Sequence, residues 1–127
     1  MDAERARAFL RSLPDVVETE SQTKRWGNKL VFRIGAQSIG GRMFSQIDFL
    51  DDGRAVLSFA ANPEHFDELT AREGVIPAPY RARVHWVALA RWDALRDAEL
   101  KHLLREARLL TLAKLPKSGR ATMRSDL

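Results

Sequence analysis

The chain contains no cysteine, which excludes disulfide bonds, thiolate metal ligands and a thiol nucleophile. It also has no apolar run that approaches the roughly 18 residues needed to span a membrane. Its first residues carry charges where a secretory signal would need an apolar segment. The sequence therefore predicts a cytoplasmic protein with no membrane partner.

Recognisable catalytic and metal-binding patterns are missing as well. No Gly-x-Ser-x-Gly elbow is present, and no serine has a nearby histidine–acid pattern. His65 lies among acidic residues without a second histidine in reach, so a solvated acidic helix face explains it better than a metal site. Residues 35–41 are glycine-rich but lack the Gly-Lys-Ser/Thr ending of a phosphate loop, which favours a hairpin turn. We expect no enzyme activity, no cofactor and no metal.

The charge balance is modestly basic. The 127 residues include 21 Lys and Arg against 17 Asp and Glu, which gives a net charge of +4. This excess permits an anionic partner without requiring one. On length we expect one domain over residues 1–117, monomeric by default, and a disordered basic tail over residues 118–127, which show no apolar periodicity.

Hydrophobic periodicity predicts an α+β fold. The predicted elements are a helix over residues 1–13 capped by Asp2, strands over residues 16–23, 29–34, 42–50 and 55–60, a short helix starting at Asn62-Pro63, a strand over residues 84–89, and a helix from a capping Asp97 to about residue 115. In the third strand, Met43, Ile47 and Phe49 are expected to share one face. The order predicts a two-layer sandwich, with an antiparallel sheet and the N- and C-terminal helices packed on one face. The opposite face is expected to be partly open and to carry Arg33 and His85.

Cations lie close to aromatic residues in two segments of this pattern. Such an arrangement is typical of a surface that binds phosphates through Lys and Arg and bases through aromatic rings. The alternative is that the tryptophans are core residues and the cations are solvated, and for the cations the two interpretations weigh equally. The predicted phosphate contacts are Lys24, Arg25, Lys29, Arg33, Arg42, Arg81 and Arg83, with Tyr80, His85 or Trp86 near sugar or base.

Two further assignments follow from side-chain alternation and helix charge. If a strand covers residues 84–89, Trp86 shares a face with Val84 and Ala88, so we expect Trp86 to be buried and Arg83 to face solvent. In the last helix, Arg105 and Arg108 are interpreted as surface cations that suit the helix dipole.

Several short motifs, in order, resemble the MmcQ/YjbR family of small bacterial proteins. They are Leu13-Pro14-Asp15-Val16-Val17-Glu18, Trp26-Gly27, Gly41-Arg42-Met43-Phe44, Pro77-Ala78-Pro79-Tyr80, His85-Trp86-Val87 and Leu115-Pro116-Lys117. The resemblance implies a compact fold with a frataxin-like layout and a proposed double-wing DNA-binding motif. The chain departs from the family pattern at Asn28-Lys29, where proline is usual after Trp-Gly, and in the length of residues 35–41.

These observations together predict a non-catalytic DNA-binding module of unknown sequence specificity, and a regulatory role is one that such a module can have. The alternative is a small-molecule or protein-interaction domain with a pocket near residues 77–80 and Trp86. A continuous positive stripe through Lys24, Lys29 and Arg81 would favour DNA, whereas cations scattered around an apolar cleft would favour a ligand.

Overall fold

The computed structural model describes residues 1–23, 27–35, 41–79 and 81–115. Within them the chain forms helices α1 (Ala3–Ser12), α2 (Phe66–Thr70) and α3 (Asp97–Leu112), and strands β1 (Val16–Thr23), β2 (Gly27–Ile34), β3 (Arg42–Phe49), β4 (Ala55–Ala60), β5 (Val75–Pro77) and β6 (Trp86–Leu89). Short 3-10 turns cover Pro63–His65 and Ala82–Val84. No helix in these ranges is both long and apolar enough to cross a membrane.

The strands form one six-stranded sheet in the order β1-β2-β3-β4-β6-β5. Every neighbouring pair is antiparallel. Helix α1 contacts β1 and β4, and α3 contacts β2, β3 and β4. The predicted two-layer α+β sandwich, with both terminal helices on one face of the sheet, is confirmed.

The main core lies between this sheet and the helices. Leu30, Phe32 and Ile34 alternate along β2 and are all buried there, as the sequence predicted. From the helix side, α1 contributes Leu10 and α3 contributes Leu104 to the same cluster. Burial of this apolar surface is the main stabilising contribution to the fold.

A β-bulge in β3 changes which residues of that strand face the core. Phe32 pairs with Ser45, but the next residue of β2, Arg33, pairs with Met43, so Phe44 is an extra residue. Because a bulge reverses the alternation of side chains, Phe44 is buried in the main core and Met43 moves to the opposite face. The expectation that Met43, Ile47 and Phe49 share an inward face was therefore wrong for Met43. Phe49, at the end of the strand, is 37% exposed.

The hairpins follow their turn chemistry. The β3–β4 turn contains Gly53 at φ 87°, a conformation that glycine adopts without strain. At the ends of the β2–β3 hairpin, a side chain at Gly41 would overlap the backbone of Gly35, so only glycine fits there. The hairpin turn was predicted over residues 35–41, of which residues 36–40 lie outside the described residues.

The two predicted helix caps have different outcomes. Asp2 caps α1, since its carboxylate accepts a hydrogen bond from the Arg5 backbone N–H at 2.8 Å. Asp97 does not cap α3: it is the first helical residue and follows the N-cap Arg96. Its carboxylate instead contacts the amino group of Met1 at 3.0 Å and the guanidinium of Arg5 at 2.8 Å. The hydrogen bond from that amino group is the main cause that lowers the pKa of Asp97.

Helix α3 buries a charged residue along with its apolar stripe. Leu100, Leu104 and Ala107 are buried as expected, but so is Arg108, which has no exposed surface. Its Nε donates a hydrogen bond to the backbone carbonyl of Pro14 at 2.8 Å. The interpretation of Arg108 as a surface cation was wrong, because it ties α3 to the segment that joins α1 and β1.

The predicted tail, residues 118–127, lies outside the described residues, and we predict that it is dispensable for folding. The last described residue, Leu115, is buried in the main core, so we place the truncation beyond it. Removing residues 118–127 should leave the melting temperature nearly unchanged, as measured by thermal unfolding beside the full chain. It should weaken any DNA affinity only modestly, because two of its residues, Arg120 and Arg124, are cationic. A drop of many degrees would contradict the prediction.

Candidate nucleic-acid interface

The sheet face opposite α1 and α3, called the open face below, carries a second, smaller apolar cluster. Along β6, Val87 and Leu89 are buried in the main core, whereas Trp86 and Ala88 belong to the second cluster. This alternation assigns the second cluster to the open face. Its buried members are Ala78, Trp86 and Ala88, with Met43, Val56 and Ala60 packed against them.

Trp86 is buried as the sequence predicted, but for a different structural reason. Its side chain is 5% exposed and packs in the open-face cluster. Val84, the expected strand neighbour on the same face, precedes β6, lies in a 3-10 turn and is 56% exposed. The predicted strand over residues 84–89 is therefore shorter than expected and begins at Trp86. Burial to this degree leaves Trp86 little ring surface to stack on a base.

The turn before β6 places a cation directly on this tryptophan. The guanidinium carbon of Arg81 lies 5.0 Å from the centroid of the Trp86 ring. The Trp86 backbone N–H also donates to the Arg81 carbonyl at 3.2 Å, so the two residues are joined through both side chain and main chain. Such a cation–π contact limits where the guanidinium can go and favours a fixed position for its charge.

Arg33 lies on the same face, across the sheet from Arg81. It alternates with the buried Phe32 and Ile34 and pairs with Met43, which packs against the Trp86 cluster. Three strand-to-strand steps separate β2 from β6, which corresponds to about 14 Å. The open face thus carries one arginine on each side of an apolar strip, which is formed by the second cluster.

Lys29 is also on the open face but has an acidic neighbour. It pairs in register with Asp48 on β3, and the Gln46 side-chain amide donates to the Asp48 carboxylate at 2.9 Å. The carboxylate of Asp48 reduces the positive potential around Lys29. We therefore expect Lys29 to attract an anion less strongly than Arg33 does.

The remaining predicted contacts have varied positions. Arg42 is exposed and is the first residue of β3. It pairs with Ile34, whose side chain faces the main core, so the register places Arg42 on the helix side of the sheet. Arg83 is exposed, as expected. Lys24, Arg25 and Tyr80 lie outside the described residues.

His85 is not on the open face, which corrects that expectation. It is outside β6 and adopts the left-handed conformation, with φ 64° and ψ 36°. Its ring meets the edge of Phe66, with the centroids 5.3 Å apart. Because Phe66 packs against the main core, His85 is directed to the helix side.

The arginines divide according to whether they have an acidic partner. Ion pairs hold Arg5, Arg7, Arg54, Arg72 and Arg91. The hydrogen bond from Arg7 is the main cause that lowers the pKa of Glu18. In the described part of the chain, the five remaining candidates have no carboxylate oxygen within 4.0 Å: Lys29, Arg33, Arg42, Arg81 and Arg83.

This absence of pairing does not by itself distinguish the open face. In the described ranges, Arg11, Arg96 and Lys114 have no carboxylate oxygen within 4.0 Å either, and Lys101 and Arg105 lie over the ring of Phe9. What distinguishes Arg33 and Arg81 is that they flank one apolar strip on a face that neither α1 nor α3 covers.

Two concavities are found away from Trp86. One, of about 260 Å³, lies between α2 and α3 and is lined by His65, Arg72, Glu99 and His102 among others. The other, of about 310 Å³, lies beside α1 and is lined by Arg7, Glu20 and Phe49 among others. Neither includes residues 77–79 or Trp86, where the alternative function would need a pocket. Among the described residues, no three His, Asp or Glu side chains are placed to hold a metal ion.

The chain is similar to known proteins in both sequence and structure. The model of the YjbR family matches residues 11–110. The crystal structure of Deinococcus radiodurans protein DR2400, with a domain described as DUF419, superposes with a TM-score of 0.78 and 27% sequence identity. That similarity covers 94% of this chain and 86% of the other. No curated protein matches the chain.

Proposed function

The chain belongs to the YjbR family, and from this premise we propose that it is a non-catalytic module that binds the DNA backbone through the open face. Since a fold alone does not fix a function, the proposal depends on the chemistry of the face.

The observation that carries the proposal is the placement of Arg33 and Arg81. Both are on the open face, Arg33 on β2 and Arg81 over Trp86 of β6, two strands that lie about 14 Å apart by strand spacing. Neither has a carboxylate oxygen within 4.0 Å among the described residues. A guanidinium that is already ion-paired must give up its partner to bind a phosphate, whereas these two need not. Arg83, exposed in the adjoining turn, adds a third available cation.

DNA binding of this kind should weaken steeply with salt. If about 4 phosphates are neutralised, the slope of log K against log salt should be about −3.6, because binding releases condensed counterions. A fluorescence titration of a labelled duplex at several salt concentrations measures this slope. A flat dependence, or no binding at low salt, would contradict the proposal.

Two variants of equal charge show whether the open face is responsible. Arg33→Gln removes one cation from that face and should reduce the magnitude of the slope by about 1. Arg72→Gln removes the same charge on the helix side, where Arg72 is paired with Glu99, and should change the slope much less. Equal effects of both substitutions would indicate diffuse attraction by net charge rather than a binding face.

A protein-interaction surface is the second candidate. Ile76 is 42% exposed and Val84 is 56% exposed, and both lie near the end of the sheet where β5 and β6 pair. Contiguous exposed apolar patches mark interaction surfaces, and these two residues would supply the apolar part of such a patch. If the protein binds no DNA at low salt, this second candidate would be favoured.

A further inference from the structure

The turn that precedes β6 presents an apolar side chain to solvent. Val84 is 56% exposed, the highest value among the large hydrophobic residues that are exposed in the described part of the chain. Isolated exposed valines are common, so exposure alone means little. The fixed backbone around Val84 and the cations beside it distinguish this valine from an ordinary exposed residue.

The backbone of this turn is held by several hydrogen bonds. The Val84 N–H donates to the Arg81 carbonyl at 3.2 Å, and the His85 N–H donates to the Ala82 carbonyl at 3.0 Å. At its base, the Ala78 N–H donates to the Trp86 carbonyl at 2.9 Å. The position of Val84 is therefore fixed by main-chain bonds to β6 and to the segment before the turn.

His85, the next residue, restricts the turn further. It adopts the left-handed conformation, which is strained for a non-glycine residue and persists only where the surroundings enforce it. Here the Ala61 N–H donates to the His85 carbonyl at 3.1 Å, and the ring packs against Phe66. The turn is thus anchored to the core on one side while Val84 faces outward on the other.

Cations flank this apolar tip. Arg83 is adjacent and exposed, and Arg81 lies at the base of the turn over Trp86. Neither guanidinium has a carboxylate oxygen within 4.0 Å among the described residues, so the positive charges beside Val84 are not neutralised by an ion pair. This charge favours a polyanion over a neutral protein surface as the partner of the tip.

We propose that Val84 contacts the C5-methyl group of thymine in the major groove and gives the protein a preference for thymine over uracil in a duplex. This inference rests on the proposed function, because Arg81 and Arg83 must first hold the turn against the phosphates. The thymine methyl is the apolar group that a base pair exposes in that groove. Short, branched valine can touch it without entering the base stack.

The test removes methyl groups from each partner in turn: uracil lacks the C5-methyl group of thymine, and Val84→Ala removes the two γ-methyl groups of the valine. A duplex of alternating A·T pairs is compared with the same duplex containing uracil in place of thymine, for the wild-type chain and for Val84→Ala. The wild type should bind the thymine duplex about fourfold more tightly for each contacted methyl, which is the value of about one buried methylene group. Val84→Ala should bind both duplexes equally and should keep the wild-type melting temperature and salt slope.

Arg83→Gln is the matched control in the same turn. It should weaken binding to both duplexes and reduce the salt slope, but it should leave the thymine-to-uracil ratio at the wild-type value. A ratio of one for a wild-type chain that still binds DNA would overturn this inference alone. A ratio that persists in Val84→Ala would also overturn it, since another residue would then contact the methyl group. Absence of wild-type binding to either duplex would overturn the proposed function and this inference with it.

Discussion

Replacing Arg108 with alanine should lower the free energy of unfolding by roughly 3–5 kcal/mol. The side chain is fully buried near the C-terminal end of α3, and its Nε donates to the Pro14 carbonyl at 2.8 Å. Alanine would leave that acceptor without its donor, which costs about 1–3 kcal/mol, and would add a cavity where the large side chain stood. Urea unfolding of the variant beside the wild type measures the loss.

Two further substitutions separate these contributions. Arg108→Met keeps most of the volume and removes the donor, so it should lose only about 1–3 kcal/mol. Arg105→Ala, one turn earlier on the exposed side, should lose about 1 kcal/mol or less, because only a cation–π contact with Phe9 disappears. If Arg108→Ala were as stable as Arg105→Ala, Arg108 would have to face solvent, as the sequence pattern had indicated.

The position of Arg108 illustrates what helical periodicity can predict. Spacing correctly identified Leu100, Leu104 and Ala107 as the buried stripe of α3, because apolar residues at three- and four-residue steps define a face. Arg108 follows Ala107 and lies at the margin of that stripe. Whether a marginal arginine turns inward depends on an acceptor elsewhere in the chain. Here the acceptor is a carbonyl 94 residues away in sequence, which no local pattern reveals.

The sheet shows a similar division between local and long-range information. Strict alternation along β2 placed Arg33 on the open face, and the register confirms it. Alternation failed in β3, because the bulge at Phe44 shifts Met43 to the other face. It failed again before β6, because residues 82–84 form a 3-10 turn and His85 takes the left-handed conformation. Both departures reverse or end the period of two on which the inference depended.

The candidate site was therefore predictable only in part. The sequence indicated that Arg81 and Trp86 lie close together, but not that the guanidinium would cover the ring. It also gave no sign that Asp48 would lie opposite Lys29 on the neighbouring strand, because that position depends on the register between β2 and β3. Long-range register thus decides which acidic side chains lie near each of the predicted cations.

Replacing Trp86 with alanine should destabilise the fold by roughly 3–5 kcal/mol, the range for large-to-small changes of a buried aromatic residue. The ring is the largest side chain of the open-face cluster. The other buried members of that cluster, Ala78 and Ala88, have small side chains. These small neighbours cannot fill the space that the ring leaves, so a cavity should persist. The same substitution releases the guanidinium of Arg81, which should lower any DNA affinity even at temperatures where the variant remains folded.

Arg83→Ala is the companion variant, because Arg83 lies three residues earlier and is exposed. Its stability should remain within about 0.5 kcal/mol of the wild type, as for most surface substitutions, while its DNA affinity falls. Urea unfolding of both variants, together with a DNA titration of each in the folded range, distinguishes a packing role from a binding role. Wild-type stability combined with lost binding in Trp86→Ala would show that the ring contacts the ligand directly. If Trp86→Ala loses stability and Arg83→Ala does not, the role of Trp86 is to pack on the open face of the sheet. The arginines would then be the residues that contact the phosphates.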